Sequence, residues 1–145
     1  MKKRSTVGTF GLAAGLLLIS AVAFAHGTEK HGSMAHPDAQ MKKMHAMMPV
    51  FSLASAGLES ALEKGDIAAV ALEAGKITAA TPDLKKSTPH KNSHQRKIFV
   101  GLATKLEESV TSTVSLAKNG DFAGAKGAFK KVEGACAACH DKFRD

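Results

Sequence analysis

Apolar side chains recur along most of this chain in steps of three and four, with no sustained alternation in steps of two. That spacing predicts amphipathic α-helices, because residues three or four apart share one helix face. The cleanest run is the last one. Phe122, Ala125, Phe129, Val132, Cys136, Cys139 and Phe143 alternate steps of three and four, and Asn119-Gly120-Asp121 precedes them as a glycine stop and an aspartate N-cap. A helix over 93–118 puts Ile98, Leu102, Leu106, Val110 and Val114 inward. A shorter one starts at Ile67 with Ile67, Val70, Ala74 and Ile77 inward, and Thr81-Pro82 is expected to end it near residue 80, since the residue before a proline avoids helical backbone. The first helix covers 41–64, with Met41, Met44, Met48, Phe51, Ser55, Leu58 and Leu62 on one face; Pro49 either kinks it or opens a first turn after a looser segment. Gly65-Asp66 repeats the stop-and-cap signal. Turns this short make neighbouring helices antiparallel, so the expected fold is all-α, an up-down-up-down four-helix bundle over 41–145.

The start of the chain is different. Met1-Lys2-Lys3-Arg4 is basic, an apolar run follows from Val7 through Leu16-Leu17-Leu18-Ile19, and Ala23-Phe24-Ala25 has the small-residue pattern of a cleavage site. The alternative is an uncleaved membrane anchor, for which the run is short and glycine-rich; a secretory signal over 1–25 is the better reading. Removing 25 of the 145 residues leaves 120, one domain, and takes three positive charges, so the formal charge falls from +7 to +4. Residues 26–40 are polar and read as a flexible leader. With no Trp or Tyr and no basic helix carrying interleaved aromatics, the mild basicity does not point to nucleic acid. No second long apolar run appears, so no membrane association is expected after cleavage.

The only two cysteines sit in Cys136-Ala137-Ala138-Cys139-His140. Cys-x-x-Cys-His is the attachment site of a c-type haem: the two thiols add across the porphyrin's two vinyl groups, and the following imidazole becomes an axial ligand of the iron. A zinc site would need further ligands at metal-binding spacing, and a thioredoxin-like site would need a βαβ context; neither pattern is present. One covalent haem c is therefore the expected cofactor. Export fits this chemistry, because in bacteria such haem is attached outside the cytoplasm, and a periplasmic location is expected.

A helical bundle with this motif on its last helix resembles the cytochrome c′ family; class I cytochromes c carry it near the N-terminus. The resemblance is specific over 119–144, where Gly120-Asp121 opens the helix, Phe129 follows, and Cys139-His140-Asp141-Lys142-Phe143-Arg144 matches the family's Cys-His-x-x-aromatic-Arg ending. Over the other helices it is architectural, and Gly65-Asp66 is a shorter turn than is usual in the family. The resemblance implies that Cys136 and Cys139 hold the haem, that His140 is the proximal ligand, and that Arg144 lies beside the proximal side. It also implies two functional types: members with a non-ligating apolar distal position open to small gases, and low-spin members in which a methionine of the first helix completes the iron's coordination.

Matching helix levels through the bundle places residues 46–50 opposite 136–140. Four methionines fall within residues 41–48. Met48, on the inward stripe, is the first candidate for a distal ligand; Met44, one turn further, is the second and Met47 the third. The bland alternative is that these methionines fill core space. His45 is a rival that would give bis-histidine ligation, although it lies off the stripe. His26, His31, His36 and Met34 in the leader suit copper, but without fixed spacing they read as a solvated tail. His90 and His94 read as surface residues.

The expected function is electron carriage by Fe(II)/Fe(III) cycling, without enzymatic activity. The alternative is a five-coordinate protein that binds nitric oxide or carbon monoxide. A sensory module would want an output domain, and a peroxidase a distal acid–base pair that His45 alone does not supply. The topology collects Lys42, Lys43, Lys85, Lys86, Lys91, Arg96, Lys97, Lys142 and Arg144 at the haem end, against Asp83, Asp141 and Asp145. That balance predicts a redox partner with an acidic surface; a homodimer is also compatible with the reading.

Overall fold

A computed structural model describes residues 39–144. The signal segment 1–25, its cleavage site, and His26, His31, Met34 and His36 of the leader lie outside the described residues. Four helices follow in order: α1 (Ala39–Lys64), α2 (Ile67–Lys86), α3 (Arg96–Lys118) and α4 (Phe122–Phe143), with a 3-10 turn over Ser93–Gln95 leading into α3. Among the described residues there is no strand. Each helix packs on the next in the chain, while α1 and α4 meet only sparsely. The expected four-helix bundle is the observed one.

Its two short turns use the same device. Gly65 at φ 68° and Gly120 at φ 78° occupy left-handed backbone that a side chain resists. The N–H of Asp66 bonds back to the Ala61 carbonyl and that of Asp121 to the Leu116 carbonyl, both at 3.0 Å, which satisfies carbonyls orphaned at the helix ends. Each aspartate then caps the next helix: Oδ1 of Asp66 accepts from Ala69 N–H at 3.0 Å, and Oδ1 of Asp121 from Gly124 N–H at 2.8 Å. A β-carbon on Gly65 would stand 3.8 Å from the Phe122 ring, so both turns share one end of the bundle. The haem-motif end of α4 is therefore at the other end, with the start of α1.

Two expectations need correction. Pro82 does not end α2, which runs on to Lys86 and is closed by Ser87, whose N–H bonds to the Asp83 and Leu84 carbonyls. Pro82 itself is exposed, so its ring stands on the face of α2 away from the core. On the opposite face Thr81 is fully buried with its hydroxyl on the Ile77 carbonyl at 2.8 Å, and Leu84 is buried a turn beyond. Packing of this face outweighs the local preference of the proline. The inward face of α3 keeps the expected Leu106 and Val110 but is displaced by one residue towards each end, with Phe99, Ala103 and Thr113 buried in place of Ile98, Leu102 and Val114. Ile98 is 47% exposed, while Phe99 is buried edge-on against Phe143, with ring centroids 5.2 Å apart. Ala103, Leu106, Val110, Thr113 and Ala117 continue that stripe. The bulkier ring takes the core position, and an aromatic pair at this spacing adds to the burial gain.

On α1 the buried positions are Met44, Met47, Phe51, Ala54, Leu58, Ala61 and Leu62, whereas Met41, Met48 and Ser55 are half-buried. The helix continues through Pro49, which is exposed. On α2 Val70, Ala74 and Ile77 are buried as expected, but Ile67, also expected inward, is exposed, since it is the first residue of the helix beside the turn. On α4 Ala125, Phe129, Val132 and Phe143 are buried, and Phe122, Cys136 and Cys139 are half-buried.

Candidate haem site

The sparse meeting of α1 and α4 leaves a cleft of about 980 Å³ at the end remote from the short turns. This is the upper end of the size range of small-molecule sites. From α4 it is lined by Ala135, Cys136, Cys139, His140, Phe143 and Arg144, and from α1 by Met44, His45, Met48, Pro49, Phe51 and Leu53 among others. α3 contributes Phe99, Leu102, Ala103 and Leu106 to the wall, α2 contributes Leu84, and the α2–α3 connection contributes Pro89 and His90. Among the described residues no carboxylate lines it, and Arg144 is the one guanidinium. The chain thus brings together Cys136, Cys139, His140 and Arg144 with both leading thioether candidates, Met48 and Met44. Met47 is buried but does not line the cleft.

The motif residues owe their placement to helix geometry. Cys136 and Cys139 are three apart, so both thiols project from one face, and His140 follows at the edge of that face. Both thiols are free. Burial pushes the Cys139 thiol up to about 11, and the neighbouring Cys136 adds to the rise. Burial also raises Cys136, with Glu133 second. A Cys-x-x-Cys built for thiol–disulfide exchange has the opposite bias, a thiol pushed down by positive surroundings. Here the sulfurs face an apolar wall, which suits thioether formation with an apolar macrocycle. Leu53 points the same way: it is 74% exposed although it lines the cleft, an apolar side chain that a flat apolar ligand would cover. The residues present fit a covalently held haem.

One part of the wall was not legible from the sequence. The connection between α2 and α3 crosses from α1 to α4. On one side the Nε2 atoms of His45 and His90 are 2.8 Å apart, with their rings nearly parallel and centroids 4.7 Å apart. On the other side the N–H of Lys91 donates to the Phe143 carbonyl at 3.2 Å, and Asn92 Nδ2 donates to the Lys142 carbonyl at 2.7 Å. Asn92 takes a left-handed conformation, φ 53°, to do so. Arg96 donates to the carbonyls of Ser87 at 2.8 Å and Lys85 at 2.7 Å. His90, read from sequence as a surface residue, is thus part of the cleft. The available signal was topological, since a connection joining the end of α2 to the start of α3 must cross the haem end.

The basic residues at this end are partly neutralised. Lys43 pairs with Asp83 at 3.0 Å and Lys85 with Glu107 at 2.5 Å. Lys42, Lys86, Lys97 and Arg144 are exposed. Among the described residues no helix is long and apolar enough to cross a membrane.

Residues 86–144, the connection with α3 and α4, match the family model described as Cytochrome C'. Over this segment, less than half of the chain, the sequence is similar to the cytochrome c′ family. Proteins of the cytochrome c′ family bind haem c covalently, and the matched segment holds Cys136, Cys139 and His140. The match contains every motif residue but does not reach α1, which carries Met44, His45 and Met48. No curated protein and no solved structure matched the chain.

Proposed function

We propose that this cytochrome c′-type chain is a periplasmic monohaem electron carrier in which His140 is the proximal ligand and a methionine of α1, Met48 first and Met44 second, is the distal one. The observation that carries the reading is that two thioethers line the same cleft as Cys136, Cys139 and His140. The bound haem supplies Fe(II)/Fe(III) cycling. The protein's own part is to hold, surround and bias it. Cys136 and Cys139 anchor it through thioether bonds. Phe99, Phe143, Leu102 and Leu106 keep water from its faces, and burial of this kind is one of the means by which a protein sets a potential. Arg144 offers a counter-charge to a carboxylate of the group. A thioether favours Fe(II), so methionine ligation raises the potential. Residues 1–25 act as the export signal, and the exposed lysines around this end favour a partner with an acidic surface.

Absorption spectra of the oxidised and reduced protein test the reading. A low-spin spectrum in both states is expected, with Met48→Leu turning it high-spin. A low-spin spectrum that Met48→Leu leaves unchanged and Met44→Leu abolishes would move the ligand to Met44. A five-coordinate wild type would overturn the carrier reading in favour of nitric oxide or carbon monoxide binding. That second reading is favoured by the non-ligating Pro49 and Phe51, which line the cleft at or beside the expected level of the iron.

A further inference from the structure

α1 presents three side chains able to bind iron to the cleft: Met44, His45 and Met48. Imidazole is a common iron ligand, and His45, although off the buried stripe of α1, lines the same cleft as the two thioethers. The structure adds a fourth residue. His90 Nε2 lies 2.8 Å from His45 Nε2, so one of these nitrogens carries the proton and the other accepts it. In one tautomer the Nε2 of His45 is protonated, and in the other its lone pair is engaged. Either way Nε2 is taken, since a ligating imidazole nitrogen must be both deprotonated and unoccupied, and only the Nδ1 of the first tautomer keeps a free lone pair.

His90 is also well placed to keep this hold. The two residues after it are pinned to the end of α4, through Lys91 N–H on the Phe143 carbonyl and Asn92 Nδ2 on the Lys142 carbonyl. Two residues before it, Thr88 follows Ser87, whose carbonyl accepts from Arg96. The backbone carrying His90 is thus tied on both sides, and the pair draws His45 towards the connection. We infer that His90 is a specificity-determining residue for the axial ligation of the haem: it engages the Nε2 of His45 and holds that ring against the connection, leaving the distal position to a thioether. This rests on the reading that the cleft holds the haem, but it does not depend on whether Met48 or Met44 ligates the iron.

The experiment compares the spectra and midpoint potentials of exported, haem-loaded wild type, His90→Ala, His90→Phe, His90→Gln, His45→Phe and the double variant His45→Phe/His90→Phe. Release of His45 in His90→Ala and His90→Phe is expected to give a bis-imidazole low-spin spectrum and a lower potential, because an imidazole replaces a thioether that favours Fe(II). His90→Gln keeps a side chain able to donate and accept, and is expected to retain the wild-type spectrum. The double variant should return to wild-type ligation, and His45→Phe alone should leave it unchanged. Spectra of His90→Ala and His90→Phe identical to wild type would overturn the inference. So would a shift that survives in the double variant, or a wild type already bis-imidazole through His45. A five-coordinate wild type would defeat the methionine reading only; a sixth ligand gained in His90→Ala and lost in the double variant would still support withholding. A chain that carries no covalent haem in its mass spectrum overturns both readings.

Discussion

The two sides of the cleft are built on different principles. On α4 the chemistry is fixed by covalent spacing: two cysteines three apart and the adjacent histidine fall where an attachment site requires them, and the apolar residues around them keep an unbroken heptad. On α1 nearly every position from Met44 to Ala54 is apolar, so several faces are equally oily and the burial pattern alone decides which one turns inward. The family match follows the same division, covering 86–144 and stopping short of α1 and α2. The lesson is that a motif locates a proximal ligand residue by residue, whereas a distal ligand on a uniformly apolar helix is located only by packing.

The largest expected effect tests the α4 side. Cys139→Ala removes one thioether anchor, and haem should no longer survive acid denaturation in full; the double variant Cys136→Ala/Cys139→Ala should retain none. Haem in the cleft would cover apolar wall that the haem-free chain leaves to water, at about 25 cal/mol for each Å² of apolar surface buried. The double variant is therefore expected to lose folding stability together with the haem. Denaturant unfolding alongside mass spectrometry reads both. Full stability without haem would mean that the cleft is not part of the core.

The next effect tests the α1 side. Met48→Leu keeps side-chain volume, so its cost in stability should stay below about 1.5 kcal/mol, but the iron should become high-spin, bind carbon monoxide more tightly and fall in potential. The contrast between the two variants sharpens the comparison: a loss of attachment and stability is expected on one side, a change of spin state and potential on the other. Met47→Leu, at a buried position off the cleft, should change neither spectrum nor potential.

How much of this was legible in the chain follows the same line. The α4 face and both Gly-Asp turns were readable because each rests on local chemistry: a heptad, a glycine with positive φ, and an aspartate cap. Pro82 misled because a local rule was weighed without the burial of Thr81 and Leu84 on the far face of the helix. Ile98 misled because it and Phe99 are adjacent and both apolar, and the choice between them is made by Phe143, forty-four residues further on. The pairing of His45 with His90 also joins residues distant in sequence, in a connection that carries no periodic signal. Contacts of this kind depend on tertiary placement and leave no mark in spacing.

A smaller effect concerns the rim. Lys43 and Lys85 already pair with Asp83 and Glu107, so the exposed Lys42, Lys86 and Lys97 are the better carriers of the field towards a partner. Electron exchange with an acidic partner should slow as the Debye length shrinks from about 30 Å at 0.01 M salt to about 10 Å at 0.1 M. Lys42→Glu/Lys86→Glu/Lys97→Glu should flatten that dependence and leave the spectrum alone. Stopped-flow rates insensitive to both salt and these substitutions would place docking elsewhere.

The smallest effect lies in the ion pair that ties the two helices outside the family match. Lys43 of α1 and Asp83 of α2 are 3.0 Å apart, and the hydrogen bond from Lys43, with its charge, holds the Asp83 carboxyl below its ordinary value. A carboxyl lowered in the folded state adds stability above its unfolded pKa of about 3.9 and loses it as the pH falls through the lowered folded value. Wild type should therefore exceed Asp83→Asn in thermal midpoint at neutral pH, and the gap should close on acidification. Both side chains are well exposed, so solvent and salt screen the pair and the gap should be slight and shrink further in high salt. Lys85–Glu107, which ties α2 to α3 with less exposed side chains, should show the larger salt-resistant loss when Glu107→Gln breaks it. Equal losses for the two variants, or a gap for Asp83→Asn that widens in acid, would mean that the α1–α2 side is held at this end by more than its apolar face.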